Sequence, residues 1–169
     1  MAVLPIRTYG DPVLRQEAKP VDRIDGDLQH FLRNMAETMA EGKGIGLAAP
    51  QVGKSLSLIV VDLSLGEEPN QAIALINPRI VGRDGEQVRE EGCLSIPDIH
   101  GDVIRPAQIQ VCFRDLEGAE RELECQDLLA RVILHEVDHL EGMLFVDRLS
   151  PIKRQMLRGK LRKLVKNQA

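Results

Sequence analysis

Near the end of the chain an apolar run of helical period, Leu128, Leu129, Val132, Ile133, Val137 and Leu140, contains His135-Glu136-Val137-Asp138-His139. Residues i and i+4 of a helix share a face one turn apart, so both imidazoles reach one metal ion. Glu136, rotated slightly away, then meets a water bound to that ion. Two ligands and a base come from a single turn. Paired surface histidines are the bland alternative, but two of the four histidines fall in this arrangement. The pattern does not name a reaction, because many metallopeptidases share it.

A helix that binds a metal on one face must lie against other elements. Leu28, Phe31, Leu32, Met35 and Met39 outline a first amphipathic helix, ended by Gly42 and Gly44. The run Leu56 to Asp62 reads as a largely buried strand. Further strands are expected at Ala72 to Asn77, Arg79 to Val81, Gln87 to Glu90, Ile109 to Phe113 and Arg121 to Cys125. Gly82, Asp84-Gly85, Pro97, Gly101, Pro106 and Glu117-Gly118 punctuate them. These strands cluster without regular helices between them, so the expected fold is α+β, with mainly antiparallel sheets around the central motif-bearing helix. Asp127 is the candidate cap of that helix. Ser150-Pro151 opens a last helix whose stripe is Ile152, Met156, Leu157, Leu161, Leu164 and Val165.

The 169 residues suit one domain, read as a catalytic part over 1–149 and a basic helix of the same domain over 150–169. Seven of the 22 basic residues fall after position 149 with no acidic one, leaving fifteen basic against 26 acidic side chains before it. Aromatic residues are scarce, which argues against a stacking platform for single-stranded nucleic acid. No apolar run approaches a bilayer's span and the start lacks the pattern of a signal peptide, so the expected location is cytoplasmic, with no membrane partner. In a reducing compartment three cysteines are buried thiols, metal ligands or reactive groups.

A catalytic metal site normally has three protein ligands and one position left for water. Cys93 is the best third candidate, lying between a glycine and a proline where a side chain can be aimed into a cleft, although a buried thiol is an equal alternative. Cys112 and Cys125, among alternating strand residues, read as small core side chains.

Gly44-Ile45-Gly46-Leu47-Ala48-Ala49-Pro50-Gln51, Glu91-Gly92-Cys93-Leu94-Ser95 and His135-Glu136-Val137-Asp138-His139 together resemble, in order, the three signature motifs of bacterial peptide deformylases. The likeness extends from Ile6-Arg7 and Asp11-Pro12-Val13-Leu14 to Gly142-Met143-Leu144-Phe145 and Leu149-Ser150-Pro151. It implies a hydrolase that removes formyl from the terminal methionine of nascent peptides. Cys93, His135 and His139 would then hold the metal and Glu136 would act as general base and acid. The Gln51 amide, the Leu94 N–H and the metal would stabilise the oxyanion. Gly44, Ile45 and Gly46 would pair with the substrate main chain, and Ile45, Leu94, Leu128 and Val132 would wall the methionine pocket, though each is equally natural as core.

Resemblance further suggests that Asp138 or Glu91 pairs with Arg105 to brace the site, and that the native metal is Fe2+, with Ni2+, Co2+ or Zn2+ able to replace it. Two imidazoles and a thiolate also suit Zn2+ on ligand softness. The basic helix is expected to meet the ribosome through RNA phosphate, with no sequence-specific nucleic-acid contact; a merely solvated helix is the alternative. His100 departs from the Arg or Tyr that many relatives carry there, which leaves preference beyond methionine open. Leu134 replaces a polar residue frequent before the first ligand histidine. His30 reads as a surface residue. An endopeptidase and a noncatalytic ribosome-binding protein with a structural metal are the rival readings; a closed structural site would need neither Gln51 nor Glu136.

Overall fold

The structure is a computed structural model, described over residues 2–167. Its strands are β1 (Gly46–Ala48), β2 (Leu58–Asp62), β3 (Ala72–Asp84), β4 (Gln87–Cys93), β5 (Ile96–Arg105), β6 (Gln108–Arg114) and β7 (Glu120–Gln126). Its helices are α1 (Gly26–Glu41), α2 (Asp127–Leu140) and α3 (Pro151–Lys166), with 3-10 turns at Pro12–Arg15, Ala49–Val52 and Phe145–Arg148. Five strands form an antiparallel sheet in the order β1-β2-β3-β6-β7, and β4 and β5 form a separate hairpin. The α+β class with antiparallel sheets is therefore as the sequence indicates.

Around β2 the sheet is apolar on both faces, which explains why β2 reads as a continuous hydrophobic run rather than an alternating one. Ile59 and Val61 point into one core with Leu75, Val111, Ile133 and Leu134 of α2. Leu58 and Val60 point into the other with Leu28, Leu32, Met35 and Met39 of α1. A third core joins the hairpin to the C-terminal region through Ile96, Val103, Phe145, Leu149 and Leu157. The motif-bearing helix is thus wedged between the sheet and the hairpin, with both of its histidines buried.

Several sequence expectations need correction. The two segments proposed either side of Pro78 are one strand, β3; the register against β6 slips between Ile76 and Arg79, and a bulge tolerates a residue without an N–H. Asn77, at φ 51°, uses this irregularity to bond both backbone groups of Val21 at 2.8 Å. Strands β1 and β5 were not foreseen, β5 because Pro97 and Gly101, read as breaks, lie inside it. Asp127 is not the cap of α2. Strand β7 runs straight to Gln126, which holds the capping position without a side-chain bond, and Asp127 is the first helical residue at φ 56°. Cys125 is buried, but Cys112 is half exposed, because Val111 and Phe113 take the inward face of β6 and leave Cys112 facing Glu122. The stripe on α3 also divides: Leu157 is buried, with Leu161 and Leu164 packed beside it, whereas Ile152 and Met156 are 73% and 70% exposed.

Candidate metal centre and substrate cleft

Helix α2 presents His135 and His139 to the hairpin, with ring centroids 5.1 Å apart. Cys93 ends β4; the register slips between Glu91 and Cys93, and Cys93 pairs with Ile96 across the turn Leu94-Ser95. This brings Sγ to 3.4 Å from His139 Nε2. The ligand atoms of Cys93, His135 and His139 lie within 4.8 Å of one another, and among the described residues this cluster holds those three alone. One thiolate and two imidazoles converging at that spacing fit a borderline-soft divalent cation.

Glu136 is buried and reaches the same point from its own turn, with Oε1 3.9 Å from His135 Nε2 and Oε2 buried without a partner. Burial raises its carboxyl to about 7 despite the opposing influence of His135. Gln51 is 1% exposed on the 3-10 turn after β1. Its Oε1 accepts from Ala48 N–H at 2.9 Å, so its Nε2 is turned to Ser95 Oγ at 3.2 Å and to Cys93 Sγ at 3.4 Å.

A cleft of about 580 Å³ opens beside these groups, lined on one wall by Gly44, Ile45 and Gly46, on another by Leu94, and below by Leu128, Val132 and Glu136. All the residues expected at the substrate site therefore meet there. The glycine at 46 has a reason that the sequence did not reveal. A Cβ at this position would fall 2.8 Å from Val132 Cγ1 and 3.0 Å from Glu136 Cγ. Strand β1 is also an edge of the sheet among the described residues, with β2 its neighbour. His100 lies on the cleft rim, its ring against Gly92, while His30 is exposed on α1 away from the lining.

Beneath the centre is a buried charge network. Glu91 Oε1 accepts from His135 Nδ1 at 2.9 Å, leaving Nε2 to face the thiol. Arg105 donates to both Glu91 oxygens, at 2.5 and 2.9 Å, and to Asp138 at 2.9 Å, so both carboxylates pair with it rather than one. Asp138 is further held by Arg148 at 2.6 and 2.8 Å. Burial alone would raise the Glu91 carboxyl, but the hydrogen bonds from Arg105 and His135 outweigh it and hold it at about 2. Burial, with His135 close by, pushes the His139 imidazole well below its ordinary value, which suits a neutral ligand. Arg131 and Arg148 were not picked out from the sequence; the available signal for Arg131 was a lone arginine one turn before His135 in an apolar run.

A sheet, a hairpin and a central helix that focus a thiol, two imidazoles, a carboxylate and a carboxamide on one cleft define a metal-dependent hydrolase. The sequence pattern of the polypeptide deformylase family matches residues 3–155. The chain belongs to that family, whose members remove the N-formyl group from nascent peptides. It is 51% identical over 166 residues to a peptide deformylase of Syntrophobacter fumaroxidans, covering 98% of each chain. A peptide deformylase of Acidobacterium capsulatum is 46% identical over 164 residues, 97% of this chain and 96% of that one. Among solved structures, the Legionella pneumophila peptide deformylase superposes with a TM-score of 0.90 at 42% identity, covering 99% and 98% of the two chains. The Synechococcus elongatus enzyme in complex with actinonin gives 0.88 at 46% identity, over 93% and 87%. No helix among the described residues is long and apolar enough to cross a membrane.

Proposed function

We propose that Cys93, His135 and His139 hold the catalytic metal and that Glu136 moves the protons of deformylation. The observation that carries this reading is the convergence of those three ligand atoms within 4.8 Å, beside the Glu136 carboxylate, whose buried Oε2 has no hydrogen-bond partner. A divalent cation in that site supplies Lewis acidity and a water that ionises near neutral pH. Glu136 takes the proton as the water oxygen bonds to the formyl carbon, then delivers it to the amine nitrogen as the C–N bond breaks, so formate and a free amino terminus leave. Glu136, buried and with its carboxylate beside the His135 imidazole, is placed for both transfers.

Gln51 Nε2 and the Leu94 N–H are assigned to the developing oxyanion. Donors fixed in place before reaction are each worth on the order of 3 kcal/mol. The peptide main chain lies along the Gly44–Gly46 edge as an added strand, and the methionine side chain enters between Ile45, Leu94, Leu128 and Val132. Ferrous iron is the proposed native metal, with nickel, cobalt or zinc able to substitute. Residues 1–149 are assigned to the catalytic part and 150–169 to the same cytoplasmic domain, with α3 its helix and residues 1, 168 and 169 outside the described residues. The exposed basic residues of α3, Lys160, Lys163 and Lys166 among them, are assigned to ribosomal RNA phosphate; their replacement by Glu should weaken ribosome co-sedimentation while leaving short-peptide turnover intact.

The reaction is tested with anaerobically purified protein given formyl-Met-Ala-Ser, its acetylated analogue and the unblocked peptide. Formate is expected from the first alone. Cleavage of an internal bond would instead make the chain a peptidase, and bound metal with no turnover would leave it a binding module.

A further inference from the structure

We infer that Arg131 is a positioning residue for the metal centre, a buried strut from α2 that pins Glu91 and, through Glu91, sets the rotation of the His135 imidazole. The inference rests on the metal-centre reading above. Arg131 is 2% exposed, four residues before His135 on the same helix. Its Nη1 donates to Glu91 Oε2 and its Nη2 to the Gln87 carbonyl at 3.2 Å, while its Nε is buried without a partner. An apolar side chain would cover the same helix face without an orphaned N–H. What it would not supply is a donor from α2 on Glu91 Oε2, the oxygen that Arg105 bonds from the hairpin side.

The geometry separates the work of the two arginines that meet Glu91. Arg105 stands on β5, the strand paired with the one that carries Glu91, so its two bonds orient the carboxylate within the hairpin. Arg131 stands on α2 and grips β4 at two points, the Gln87 carbonyl and Glu91 Oε2. With Oε2 pinned from the helix, Oε1 is left facing His135 Nδ1 at 2.9 Å. On the other side of His135, three residues along the helix, Asp138 bonds Arg105 and closes a second link to the hairpin. His135 therefore lies between two ties joining α2 to the hairpin that carries Cys93. Those ties set how far the thiol stands from the imidazoles. Partners of this kind, which orient a ligand without touching the metal, commonly govern affinity by 10- to 100-fold.

The test uses full-length protein loaded with Co2+, whose visible absorption reports the ligand field, with affinity read by chelator competition. R131M keeps much of the side chain's length and removes its donors; R131K keeps the charge and guards against a failure to fold. R131M is expected to bind Co2+ at least about 10-fold more weakly and to change the absorption, with kcat for formyl-Met-Ala-Ser reduced and KM little altered. R131K should bind with an intermediate affinity. Wild-type affinity and an unchanged spectrum in R131M, or in R131K if R131M does not fold, would overturn the role of Arg131. Wild-type Co2+ affinity in a Cys93→Ala protein would instead sink the metal-centre reading itself.

Discussion

At the level of single residues, the chemistry depends on contacts with little room for error. Gly46 is the sharpest case, because α2 passes so close that any side chain there meets Val132 and the stem of Glu136. Gly46→Ala should displace the Glu136 carboxylate, lowering kcat/KM by about 10-fold or more, with an overpacking cost of about 1–3 kcal/mol. Steady-state kinetics beside urea unfolding would check both effects, and wild-type kcat/KM would show that the close approach is relaxed at no catalytic cost. The sequence marked Cys93, His135, His139, Glu136 and Gln51 as candidates, since each sits in a short pattern whose chemistry is local. It concealed the steric meaning of Gly46 and the grip of Arg131, since both depend on elements distant in the chain. Cys112 reads as core because its strand alternates, but which parity faces inward is set by the elements packed on the sheet, and Val111 and Phe113 take that face.

Among the elements, α1, α2 and α3 were legible because their apolar spacing follows a helical period and because Gly42 and Ser150 stand at their ends. Short strands were less so. Strand β1 has three residues, and β5 contains a proline and a glycine that normally mark breaks. Helix α3 carries one feature that neither packing nor charge explains, a glycine at 159 in its interior with nothing within 4 Å of where a Cβ would sit. Since glycine in an exposed helix costs about 0.8–1.0 kcal/mol relative to alanine, Gly159→Ala should raise the melting temperature by about 2–4 °C without affecting formate release. A thermal melt decides this, and an unchanged or lowered midpoint would mean that α3 bends or contacts a partner there.

For the molecule as a whole, the catalytic constellation is held by tension between burial and charge. Glu91, 7% exposed, keeps its carboxyl at about 2 instead of 4.5. An acid depressed in the folded state stabilises the fold above its unfolded value and loses that contribution as the pH drops through the folded one. Metal-free wild-type protein should therefore lose up to about 3 kcal/mol between pH 4.5 and pH 2 from this group, a loss that Glu91→Gln should not show. Urea titrations across that window test it, and parallel curves for the two proteins would remove Glu91 from the acid response. The central claim, that three side chains hold a metal while a fourth moves protons, is tested most directly by metal content and formate release in Glu136→Ala. Full metal occupancy with turnover of formyl-Met-Ala-Ser reduced by about 10²- to 10⁴-fold is the expected result. Full occupancy with turnover within a few-fold of wild type would contradict the account.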